Sequence, residues 1–173
     1  MKVVLGHGAG GSAASLKPYV DGLCRRGIAA VAVDLPRRGR FPVRAELAVE
    51  EFVQAAGAGT GLVVGGTSYG GRVASLAAAG RSFAGLVLFA YPLHPRGRRD
   101  AALRTAHWPR IRCPVLLLSG ERDEHAELAP LVESVKLLRR AELVTYPGIR
   151  HDLLPVLEDA LDRAAAFVHR LNT

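Results

Sequence analysis

The chain has 173 residues, 49% of them hydrophobic and 23% charged, and its 23 lysines and arginines outnumber 16 acids to give a formal net charge of +7. That balance excludes a disordered chain, and no apolar run approaches the ~20 residues of a membrane-spanning helix. The two cysteines, Cys24 and Cys113, form no C-x-x-C pair and have no ligand-like spacing to histidines, so reduced thiols and no metal site are expected.

Short β-branched runs alternate with helical patterns, the signature of βαβ units around a parallel sheet. Met1-Lys2 leads straight into Val3-Val4-Leu5, too short an apolar stretch for a signal peptide, which predicts a cytoplasmic protein. A first strand, Lys2–Leu5, opens onto the glycine loop Gly6–Gly11. Ser12 or Ser15 can cap the helix that follows; Pro18 favours a start near Leu16, and the helix reaches about Arg26 and stops at Gly27. The second strand, Ile28–Val33, ends in Asp34-Leu35-Pro36, followed by a basic loop and a helix over Arg44–Ala56. The third strand, Gly61–Gly65, passes through Gly66-Thr67-Ser68-Tyr69-Gly70 into an alanine-rich helix, Gly70–Ala79. The fourth, Gly85–Ala90, is apolar enough to be buried on both faces.

After it comes a long irregular region, Tyr91–Cys113, with a short helix expected at Asp100–Ala106. The fifth strand, Pro114–Leu118, leads to Ser119–Glu124 and a helix over Glu127–Leu138. The sixth, Glu142–Tyr146, leads to Pro147–Asp152 and a last helix, Pro155–Leu171. Right-handed crossovers would order the strands 2-1-3-4-5-6 in an α/β three-layer sandwich with a doubly wound, mostly parallel six-stranded sheet. No repeat, low-complexity tract or linker divides the chain, so one domain is expected over residues 1–173.

Ligands of such a sheet bind outside the carboxyl ends of its strands. Gly66–Gly70 fits G-x-S-x-G, a tight strand-to-helix turn that exposes a serine hydroxyl; the nucleophile is strained, and side chains two residues to either side would collide across the turn. Asp123 follows the fifth strand and His151 the sixth, so Ser68, Asp123 and His151 fall at one sheet edge in the order nucleophile, acid, base. In that constellation Ser68 attacks a carbonyl, His151 takes and returns its proton, and Asp123 fixes the imidazole tautomer; Glu121 and Glu124 compete for the acid role. The N–H groups of Tyr69 and Ala9 are the candidates to hold the oxyanion. A rival reading takes Gly6-His7-Gly8-Ala9-Gly10-Gly11 with Asp34 as a dinucleotide fingerprint. The bulky His7 and the late helix start weigh against it, and it leaves Ser68, Asp123 and His151 unexplained.

With these residues the chain resembles an α/β hydrolase without a large cap domain. More narrowly, it resembles the small hydrolase-like family that includes testis-expressed protein 30 and a domain of a non-specific-lethal complex subunit. The matching stretches are Leu5–Ser12, Gly65–Arg72, Tyr91–Pro95, Leu103–His107, Gly120–Asp123 and Gly148–His151. The resemblance implies an α/β-hydrolase fold with Ser68, Asp123 and His151 as its triad. Opening directly at the strand that bears the glycine loop, the chain is expected to depart from the full-length sheet by lacking its first two strands, a minimal version of the fold. It implies no substrate, and some relatives serve as protein-interaction domains.

The expectation is therefore a serine hydrolase of small-acyl esters or thioesters that needs no cofactor, with a catalytically silent scaffold as the alternative. Without a cap, loops must build the acyl pocket. Tyr91, Leu93 and Trp108 are its candidate apolar wall, with His94 as a polar contact or a plain surface residue. Arg37, Arg38 and Arg40, and Arg96, Arg98 and Arg99, cluster at the same edge. They read first as solvated loop charges, and second as a field that steers an anionic substrate or binds nucleic acid or another acidic partner. Neither a membrane nor a nucleic acid is expected as a partner, and the oligomeric state is left open.

Overall fold

The computed structural model describes residues 1–172. Strand β1 (Lys2–Gly6) leads through a 3-10 turn, Ala13–Leu16, to helix α1 (Lys17–Arg25) and β2 (Ala29–Val33). The basic loop is a small hairpin, β3 (Arg37–Arg38) with β4 (Phe41–Pro42), ahead of α2 (Ala45–Ala56). There follow β5 (Gly59–Thr67), α3 (Tyr69–Gly80), β6 (Phe83–Phe89), β7 (Val115–Gly120), α4 (Leu128–Val135), β8 (Ala141–Tyr146) and α5 (Leu157–Arg170). Six strands form one parallel sheet in the order β2-β1-β5-β6-β7-β8, the doubly wound arrangement expected from the sequence. Among the described residues no helix is long and apolar enough to cross a membrane.

Two cores flank the sheet, and the period-two alternation of the strands assigns side chains between them. Val4, Val64, Leu86, Leu88 and Leu117 face α2, α3 and α4, where Phe52, Val73 and Leu131 meet them. Val3, Leu5, Val63, Val87 and Leu116 face α1 and α5, against Leu23, Leu161 and Val168. Both faces are buried, as the unbroken apolar run of β6 requires. Each large side chain enclosed in this way contributes roughly 1.5–3 kcal/mol.

The expected helix at Asp100–Ala106 does not form; turns lead instead to a 3-10 helix at Trp108–Arg110. Tertiary bonds take the backbone groups that a helix would need. The Tyr91 hydroxyl donates to the Arg104 carbonyl (2.6 Å), and the Arg104 N–H donates to the Leu93 carbonyl (2.7 Å). Helix α4 likewise stops at Val135, three residues short of expectation, in a run of turns.

This segment folds beneath α3. His107 is buried there, its Nε2 2.8 Å from the Ser75 hydroxyl, whose own proton goes to the Arg72 carbonyl. Burial, then the Arg72 and Arg110 charges, push the imidazole down to about 4. The unfolded chain takes up this proton below about pH 6.5 while the folded chain refuses it until about pH 4. Stability is therefore lost as the pH falls through that window. The melting temperature should decline from pH 6.5 to 4, and His107→Gln should flatten that decline even if its baseline is lower. An equally steep decline in the variant would remove His107 as the source.

Helix α3 also starts in direct contact with the end of β1. A methyl group on Gly70 would meet the carbonyl of Gly6, backbone that has nowhere to move, whereas Gly80 at the far end of the same helix has open space. In urea unfolding, Gly70→Ala is expected to lower stability by about 3 kcal/mol or more through overpacking. Gly80→Ala should be neutral or raise it by up to about 1 kcal/mol.

Candidate active site

Ser68 stands between the end of β5 and the first turn of α3 with φ +47° and ψ −113°, a conformation that costs a serine about 1–3 kcal/mol. Its N–H donates to the Phe89 carbonyl (2.9 Å), and its own carbonyl accepts the Arg72 N–H (3.0 Å). The glycines two residues away on either side are sterically required: a Cβ on Gly66 or on Gly70 would strike the Gly6 backbone. The turn thus closes only where three backbone segments touch.

The loops after β7 and β8 bring the other two residues to the serine. His151 Nε2 is 2.8 Å from Ser68 Oγ, and His151 Nδ1 lies 2.8 and 2.9 Å from the two oxygens of Asp123. Asp123 is buried, and its Oδ1 also accepts the His125 N–H (2.7 Å). The competing acids are engaged elsewhere: Glu121 accepts from the Thr145 hydroxyl (2.8 Å) and Glu124 pairs with Arg150 (3.3 Å). Bonded to the carboxylate through Nδ1–H, the imidazole turns an unprotonated Nε2 toward the hydroxyl, the tautomer a general base needs.

The glycine loop is pinned from two sides. Buried His7 donates from Nδ1 to the Gly8 carbonyl (2.8 Å) and accepts the Leu35 N–H at Nε2 (3.0 Å). Arg37 donates to the carbonyls of Ala9 and Gly11. Ala9 is thereby held beside Ser68, where both line the same clefts. Tyr69 is the first residue of α3, so its N–H has no acceptor within the helix and lies at the positive end of the dipole. Asp34, the acid of the dinucleotide reading, accepts the Ala13 N–H (2.7 Å) at the start of the 3-10 turn.

Two clefts meet at Ser68. One, of about 700 Å³, is walled by Leu16, Tyr19, Phe89, Leu153 and Leu154. The other, of about 530 Å³, is lined by Arg44, Arg72, Arg104, Glu46 and Tyr69; Arg96 and His125 border both. The expected apolar wall is corrected here: Tyr91, Leu93, His94 and Trp108 are all at most 2% exposed and line neither cleft. The Tyr91 and Trp108 rings pack edge to face, 5.1 Å apart, in the core under α3. His94 Nδ1 turns to the Pro95 carbonyl (2.9 Å), so it is neither a cleft contact nor a surface residue. Large apolar side chains in an irregular segment were drawn into the core rather than left to line a pocket.

Of the six arginines clustered in sequence, only Arg96 borders the clefts; Arg37 braces the glycine loop, and Arg98 and Arg99 pair with Asp100 and Glu127. The sequence reading passed over His125, whose ring lies 4.3 Å from that of His151. Burial, then the neighbouring His151, hold its pKa below the ordinary histidine value. Its place two residues after Asp123 was the available signal.

The family model for the α/β hydrolase domain matches residues 1–171. A non-heme chloroperoxidase from Burkholderia pyrrocinia is 42% identical over 53 residues, a match spanning 30% of this chain and only 19% of that protein. Among solved structures, a bacterial membrane phospholipase A superposes with a TM-score of 0.77 at 19% identity, covering 99% of this chain and 79% of its own. A monoacylglycerol lipase from Paleococcus ferrophilus gives 0.73 at 18% identity, covering 98% and 93%. At such identities the likeness is one of fold, and the fold agrees with what the whole-chain family match establishes: the chain belongs to the α/β-hydrolase domain family.

Proposed function

We propose that the chain is a serine hydrolase cleaving an ester or thioester through an acyl-enzyme. The observation that carries this reading is the unbroken hydrogen-bonded line from Ser68 through His151 to buried Asp123, on a turn that holds the serine at positive φ. Ser68 Oγ attacks the substrate carbonyl while His151 Nε2 takes its proton. The oxyanion that forms faces the N–H groups of Tyr69 and Ala9, where each donor is worth roughly 10²–10³ in rate. The tetrahedral centre collapses as His151 passes the proton to the departing alcohol or thiol. Water, deprotonated by the same nitrogen, then releases the acid and restores Ser68. Asp123 stays ionised throughout and stabilises the imidazolium of each step.

The chemistry uses only water as co-reactant. Within the family, we place the chain with the capless group that includes testis-expressed protein 30. Two thiols outside any disulfide, Cys24 and Cys113, suit the cytoplasm.

A fluorophosphonate tests the reading directly, because its adduct mimics the tetrahedral intermediate. Intact mass should show one adduct on the wild type and none on Ser68→Ala. Asp123→Asn should label and turn over ester more slowly, by roughly 10⁴-fold if the carboxylate sets the tautomer. A wild type that neither labels nor hydrolyses any test ester would replace the enzyme with a silent scaffold.

A further inference from the structure

The second cleft is chemically unlike the first. Four arginines, Arg44, Arg72, Arg96 and Arg104, line it against a single carboxylate, Glu46. That carboxylate is already engaged, bonded by Arg72 and approached by Arg44 at 3.8 Å. Arg72 remains under-satisfied, with its Nη1 buried and without an acceptor. Arg26, equally buried on another face, is matched with both Glu158 and Asp162.

Arg104 is the more telling residue. The Tyr91 hydroxyl holds its carbonyl and the Leu93 carbonyl holds its N–H, so its backbone is fixed by the core. Its guanidinium is half-buried in the cleft and has no carboxylate partner among the described residues. Burial, then the Arg72 charge, lower its affinity for its proton. A cation beside another cation, half withdrawn from water and with the one nearby carboxylate, Glu46, already bonded by Arg72, is unfavourable by itself. It becomes favourable when an anion enters, since the guanidinium fork matches the oxygens of carboxylate and phosphate.

We infer that this cleft receives an anionic group of the substrate, a carboxylate or a phosphate, clamped by Arg104 and Arg72 while the apolar cleft takes the other part of the ester. This assignment rests on the hydrolase reading and narrows its substrate to esters or thioesters that join an apolar part to an anionic part. Tyr91, Leu93 and Trp108 then act from the core, by setting the place of Arg104.

The test uses two pairs of aryl esters, one with the carboxylate on the acyl side and one with it on the alcohol side. Each is compared with its methyl-capped neutral twin. For at least one pair the wild type should favour the anionic member by about tenfold or more in kcat/KM, the worth of one charge-assisted hydrogen bond. Arg104→Gln should reduce that ratio about tenfold, and Arg104→Lys should keep part of it, retaining charge without the fork. Arg139→Gln, just ahead of β8 at the opposite end of the strands, should leave the ratio unchanged. Absence of a preference in both pairs, or a preference surviving in Arg104→Gln, would overturn the assignment. If no ester turns over, calorimetry on Ser68→Ala with inorganic phosphate, and separately with acetate, decides. Binding of either that vanishes in Ser68→Ala/Arg104→Gln keeps the anion site while the hydrolase reading falls. No Arg104-dependent binding of either removes both.

Discussion

Everything at the site depends on the contact between the ends of β1 and β5 and the first turn of α3. Gly6, Gly66 and Gly70 meet there, with no room for a Cβ on Gly66 or Gly70 against the Gly6 backbone, and that closeness permits a strand to turn into a helix within one residue, Ser68. The strain at positive φ is local, whereas the interactions enforcing it are distributed. Parallel pairing of β5 with β1 and β6 fixes one side of the turn, and Val73, Ala74 and Ala77, packed on the sheet, fix the other. A residue that would relax in isolation is held by a core too well packed to let it.

The buried carboxylate behind His151 poses a second constraint. Among the described residues no arginine or lysine forms an ion pair with Asp123, and its charge is met by the His151 ring and the His125 N–H. Such a carboxylate is tolerable only where its acceptor sites are filled, so the loop after β7 must present Asp123 and the His125 amide together. His125 thereby does two things, bonding Asp123 through its backbone and packing its ring against His151. On the opposite side of Ser68, His7 and Arg37 perform the matching service for the glycine loop. Each satisfies carbonyls that would otherwise be free to turn inward.

The sheet order, the elbow and the meeting of Ser68, Asp123 and His151 were legible in the sequence because each follows from short-range rules. β-branched runs mark strands, a glycine pair around a serine marks the turn, and crossover handedness carries the loops to one edge. The segment from Tyr91 to Cys113 was not legible. Its residues have no period, so nothing local distinguishes an apolar side chain that lines a cleft from one that fills the core beneath it. Trp108 and Leu93 went inward because α3 left space there, a fact of tertiary packing alone. Arg104 and Arg37 were hidden for a related reason: in a chain rich in arginine, only position separates those that brace or line a site from those in solvent.

Two arms of unlike chemistry meeting at one hydroxyl have a geometric consequence. An ester seated with one part in the apolar arm and the other in the cationic arm cannot be turned end for end. On the mechanism proposed above, Ser68 then approaches the trigonal carbon from a single side, with the N–H groups of Tyr69 and Ala9 fixing where the oxygen must go. Approach from the mirror-image side would place each substituent in the wrong arm. On the hydrolase reading, a site of this shape therefore selects one face of the ester carbonyl, without any residue dedicated to that task.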